Sequence, residues 1–143
     1  MNRLIYIYYI GVLSLTVAAL SSCGSAEKSE RRGDAAWSLG EYAEAAGQYK
    51  RAYSQTPPKQ KALRGRISLK MARAYAHYGH TARAVGAYRN ALRYHAADST
   101  AALELARALM KQGDPKAAEK LLLALTDTAI CRFSAALSRS LAA

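Results

Sequence analysis

Cysteine is scarce in this chain of 143 residues: there are two, Cys23 and Cys131. Two cysteines allow one disulfide at most, so no disulfide framework holds the fold. Proline occurs three times, at Pro57, Pro58 and Pro115, which leaves long stretches free of helix breakers. No stretch alternates apolar and polar residues as a half-buried strand does. Acidic residues are missing from the whole interval between Glu44 and Asp98. There is no glycine-rich phosphate loop, no paired carboxylates and no nucleophile–base motif. Those absences argue against an enzyme and against a cofactor.

What is present begins with a leader. Asn2 and Arg3 make a short basic start, Leu4 to Leu20 is an apolar run interrupted by Tyr6, Tyr8 and Tyr9, and polar sequence follows at once. This is the layout of a secretory signal over residues 1–22. Its end, Leu20-Ser21-Ser22-Cys23, resembles the lipoprotein box of bacteria. The resemblance implies a diacylglycerol thioether on Cys23, cleavage just before it, a lipidated tether over 23–28 and a membrane anchor. Several acyl chains hold stably where one holds only marginally. Gly24 stands where many inner-membrane lipoproteins carry aspartate, so the expectation is the outer membrane, facing the periplasm. With Cys23 lipidated, Cys131 is left as a lone thiol.

The rest is organised by a repeated pattern. Gly40, Ala45, Tyr49 and Ala52 return as Gly79, Ala84, Tyr88 and Ala91, and more loosely as Gly113, Ala118, Leu122 and Leu125. The last two glycines are 34 residues apart. A period of that length implies stacked helical hairpins rather than one globular core. The pattern predicts helices over about 27–39, 42–54, 58–78, 81–94, 99–112 and 115–125. The three glycines supply the left-handed residue that ends one helix before a tight turn. Pro115 suits the first position of a helix capped by Asp114, and Asp98 with Ser99 suits the start of the fifth.

These residues resemble the tetratricopeptide repeat family. The family places small residues where the two helices of a hairpin cross, here Gly33, Ala72 and Ala106 on the first helices and Ala45, Ala84 and Ala118 on the second. A large residue then fills the space toward the next repeat: Tyr49, Tyr88 and Leu122. The resemblance implies an all-α, right-handed superhelix over 29–127, with repeats at about 26–59, 65–98 and 99–132. The family's early tryptophan is absent, and Arg32 stands where a buried leucine is usual, so the first helix is expected to be frayed or covered by a partner. Five extra residues, Gln60 to Arg64, should lengthen the third helix.

The stretch from Ser25 to Asp127 further resembles the amino-terminal repeat module of PorE-like outer-membrane lipoproteins of Bacteroidota, which serve type IX secretion and gliding. In that family a propeller and an OmpA-like peptidoglycan-binding domain follow. Beyond Asp127, Ile130, Phe133, Leu137 and Leu141 fall on one helical stripe. Residues 128–143 therefore read either as a capping helix, which solenoids need, or as a truncated tail.

Charge is lopsided: 21 Lys and Arg against 10 Asp and Glu, a net charge of +11. The family lines its groove with the first helix of each hairpin, so Arg66, Arg73 and His77 would face Arg107 and Lys111, with Trp37 and Met110 as apolar neighbours. Arg73 and Arg107 hold equivalent places in successive repeats, where two guanidiniums can grip carboxylates. The expected partner is a protein with an acidic segment. The competing reading is a solvated basic surface, or a module drawn to anionic glycan or lipid headgroups. Nucleic acid is not expected for an exported lipoprotein. His77 and His80 have no cysteine or carboxylate close in sequence to complete a metal site.

Overall fold

A computed structural model describes residues 24–94 and 99–127. The leader over 1–22, Cys23, His95, Asp98, Cys131 and the tail over 128–143 lie outside the described residues. Among those described there are six helices and no strand. They are α1 (24–38), α2 (Tyr42–Gln55), α3 (Lys61–His77), α4 (Thr81–Arg93), α5 (Ser99–Gln112) and α6 (115–127). Each follows from composition: alanine with straight-chain residues favours helix, and the breakers fall between the helices.

The turns share one closure. Gly40, Gly79 and Gly113 have φ of 76°, 87° and 88°, the left-handed region where a side chain is strained. The residue after each glycine reaches back five positions: Glu41 N–H donates to the Ala36 carbonyl at 2.9 Å, His80 to Tyr75 at 2.9 Å and Asp114 to Leu109 at 3.0 Å. That is the Schellman closure, which satisfies carbonyls orphaned at a helix end. At the far side of the third turn Asp114 Oδ1 accepts from the Ala117 N–H at 3.1 Å, so this aspartate caps α6 with Pro115 in its first turn.

Packing is local: α2 lies on α3, α3 on α4 and α4 on α5. The core is built mostly from alanine, including the fully buried Ala45, Ala52, Ala72, Ala84 and Ala91. Ala106 and Ala118 are buried as well, and Leu122 packs against the core while partly exposed. Short side chains let the helix axes approach closely, and bulk is supplied at intervals by Tyr49, Ile67, Tyr75, Tyr88 and Leu105. Gly33 shows how close the approach is. A Cβ there would sit 2.6 Å from Cε1 of Tyr49, inside any permitted contact.

Three expectations are corrected. The first helix is not frayed, because residues 24–38 are continuous helix with Arg32 on its exposed side; Ala26, Ser29, Glu30, Gly33 and Ala36 form the buried stripe instead. Residues 24–28 are accordingly helical rather than an extended tether. The third helix starts at Lys61 rather than Pro58, since both prolines are spent in the connection after α2. It is still the longest helix among the described residues, at 17 residues, as the insertion implies. The insertion also anchors the connection. Arg64 lies 4.0 Å over the Tyr53 ring and donates to the Thr56 carbonyl at 2.7 Å.

Candidate partner-binding cleft

The first helices of the three hairpins stand side by side, joined by charge. Glu30 of α1 is buried, and its two oxygens take Lys70 at 2.8 Å and Arg66 at 3.0 Å, both from α3. Asp34, one turn further along α1, accepts from Lys70 at 2.8 Å and from the Tyr49 hydroxyl at 2.8 Å. Burial opposes the Lys70 ammonium, but the hydrogen bonds to Asp34 and Glu30 outweigh it and leave its pKa raised. Burial is also the main reason the Tyr49 phenol is pushed far above its ordinary value, with Asp34 adding to it. On the other flank, Arg73 Nε of α3 donates to Glu104 Oε2 of α5 at 2.9 Å. The Tyr88 phenol is raised the same way, first by burial and then by the adjoining carboxylate of Glu104.

Between α3 and α5 lies a cleft of about 450 Å³. One wall is aromatic: the Trp37 ring meets His77 edge-on at 5.2 Å and Tyr42 edge-on at 5.1 Å, while Tyr42 stacks on His77 at 4.7 Å. The floor is made of small residues, Ala76, Ala84 and Ala108, with Tyr88 beside them. Arg73, Glu104, Arg107 and Lys111 supply the charge. Such a concavity, mostly apolar with a few converging polar groups, is the usual form of a binding site.

Of the seven residues that sequence reasoning assigned to the groove, Trp37, Arg73, His77, Arg107 and Lys111 line this cleft together. Arg66 does not; it turns to Glu30 and lines a separate recess with Leu63 and Ile67. Met110 does not either, being 63% exposed outside the cleft. Its register matches that of Trp37, yet α5 has no following first helix among the described residues to pack on it. Arg73 and Arg107 do share the cleft, but Glu104 already occupies Arg73. The basic run of the middle repeat is thus met partly from inside, by Glu30, Asp34 and Glu104 of the flanking helices.

One charged residue of the cleft was missed, Glu104. Glu104 was detectable from register, since it stands nine residues before Gly113 as Lys70 does before Gly79. Tyr42 does not line the cleft, and nothing in the spacing shows that it stacks on His77. His80, in the turn before α4, contacts Tyr78 at 4.7 Å rather than His77. Among the described residues no group of three metal-binding side chains occurs, and no helix is long and apolar enough to cross a membrane.

Two family models match the chain, both described as tetratricopeptide repeat, over residues 25–64 and 75–129. The first match takes in α1 and α2, the second α4, α5 and α6. No curated protein matches it.

Proposed function

Because the chain belongs to the tetratricopeptide repeat family, we propose that it is a scaffold that holds an acidic segment of a protein partner in the α3–α5 cleft. The observation that carries this reading is the one-sided charge of the cleft. Arg107 and Lys111 project from α5 one turn apart and make no ion pair among the described residues, whereas the third cleft cation, Arg73, is already paired. Two unpaired cations at the rim of an apolar recess favour a carboxylate-bearing partner, in a geometry that suits a bidentate grip by the guanidinium.

The setting we propose is the bacterial envelope. A lipid on Cys23 would hold the stack directly at the membrane, since helix α1 begins at the next residue. Within that setting, resemblance to PorE-like lipoproteins favours a secretion or gliding assembly, with the outer membrane as the site. The test is crosslinking from native membranes with the tagged chain under its own signal. Recovery of one defined envelope protein, lost on Arg107→Glu with Lys111→Glu while helicity is kept, is the expected result. Equal recovery with the charge-reversed chain would rule the cleft out.

The outer face of α1 favours a second contact. Lys28, Arg31 and Arg32 are exposed there, a few residues after Cys23 in sequence, with Arg31 paired to Glu27. Basic residues near anionic headgroups contribute about 1 kcal/mol each. Sedimentation with anionic vesicles that falls as salt rises would support this contact, and salt-independent binding would not.

A further inference from the structure

The cleft is polarised in a way that specifies more than an acid. Its α1–α3 wall is aromatic and carries no net cation, because Arg73 is neutralised by Glu104 at 2.9 Å. Its floor is cut back to alanine, which leaves open apolar space beside the exposed ring edges of Trp37 and His77. Among the described residues, the unpaired charge of the cleft is all on the opposite rim, at Arg107 and Lys111. A purely acidic segment would satisfy the rim and leave the recess filled with water against apolar surface, which is unfavourable. A purely apolar segment would leave the rim unused.

We infer that the cleft takes a two-point ligand: a phenyl-sized apolar side chain seated against Trp37 and His77, next to a carboxylate held by Arg107 and Lys111. The inference rests on the reading of the cleft as the partner site and names the chemistry of the segment that fills it. Glu104 acts here as a resident carboxylate. It occupies the one cation on the aromatic wall, so a second acid in the ligand finds no free cation on that side. An anchor ring in a small-residue pocket with a charged contact at the rim is also how binding energy concentrates in protein interfaces.

The chain carries its own reporter, since Trp37 is the only tryptophan. Three blocked peptides serve as probes, Ac-Gly-Phe-Glu-Gly-amide and its variants with alanine for the phenylalanine or glutamine for the glutamate. Each is titrated into the full chain while Trp37 emission is followed. The expected result is a saturable emission change with the first peptide and binding about tenfold or more weaker with either variant, as loss of a buried ring or of a charged contact predicts. In the Arg107→Gln, Lys111→Gln chain the glutamate and glutamine peptides should bind alike. If the alanine peptide binds as tightly as the first, the anchor is wrong, although the acidic-partner reading stands. If no peptide shifts Trp37 emission up to millimolar concentration, the two-point ligand is overturned. The membrane crosslinking result then decides the broader reading separately, because it depends on Arg107 and Lys111 and not on the anchor.

Discussion

A missing side chain and a resident carboxylate do the most at the scale of single residues. Gly33 has no room for even a methyl group against the Tyr49 ring, whose hydroxyl is fixed by Asp34 at 2.8 Å. The ring cannot swing aside without giving up that bond. Gly33→Ala should therefore cost about 1–3 kcal/mol, the usual penalty for overpacking, although alanine is the better helix former. Urea unfolding checks it: the midpoint should fall while the slope stays the same. Glu104 works in the opposite sense. Glu104→Gln removes the carboxylate that a ligand acid must compete with, and binding of an acidic peptide such as Ac-Gly-Phe-Glu-Glu-Gly-amide should tighten several-fold, about 1 kcal/mol. Weaker binding would mean that the Arg73–Glu104 pair holds the cleft in shape rather than competing with the ligand. The turn glycines were legible from sequence because they recur with the same neighbours. The demand at Gly33 was legible only as "small", since nothing in the chain says which ring will press on it.

For the elements, the first helices matter most, because α1, α3 and α5 are joined across their faces by Glu30, Asp34 and Glu104 meeting Arg66, Lys70 and Arg73. Lys70 is the hinge of this arrangement, bonded to both acids of α1. Lys70→Met should destabilise by about 1–3 kcal/mol, mostly by leaving the buried Glu30 carboxylate with one cation instead of two. Adding Glu30→Gln should recover much of the loss, and a double-mutant cycle of unfolding free energies would expose the coupling. The helices themselves were readable to within a few residues. Their charge pairing was not. The acid-free interval from Glu44 to Asp98 is plain in the sequence, but the acids that answer it lie 31 and 36 residues away, on neighbouring repeats. Only the repeat register brings them to the same level. Arg66 was misplaced for the same reason.

Over the whole molecule, stability should fail at high pH. Lys70, Tyr49 and Tyr88 all have pKa values raised on folding. For each, the folded state holds its proton longer than the unfolded chain does. The stabilisation is complete below the unfolded values, near pH 10, and is lost as pH rises through the folded ones. Each phenol should steepen the decline by up to about 1.4 kcal/mol per pH unit. Thermal unfolding between pH 8 and 11 should show a transition that falls steeply only above about pH 10, and Tyr88→Phe should make that fall shallower. The fold class and the repeat count of the described region were legible at this scale, because a period near 34 residues has few physical solutions. The ligand was not, because the aromatic wall of the cleft joins Trp37 of α1 to His77 of α3, with Tyr42 of α2 packed on both rings, and exists only after they pack.

The nearest-neighbour packing of the helices has a kinetic side. When α2 lies on α3, α3 on α4 and α4 on α5, the main helix contacts join elements adjacent along the chain. Contact order is then low, loop-closure entropy is paid in small instalments, and folding should be fast for a chain of this length. Each hairpin has a template as soon as the one before it exists, so structure can grow in the direction in which the chain is delivered, wherever that delivery takes place.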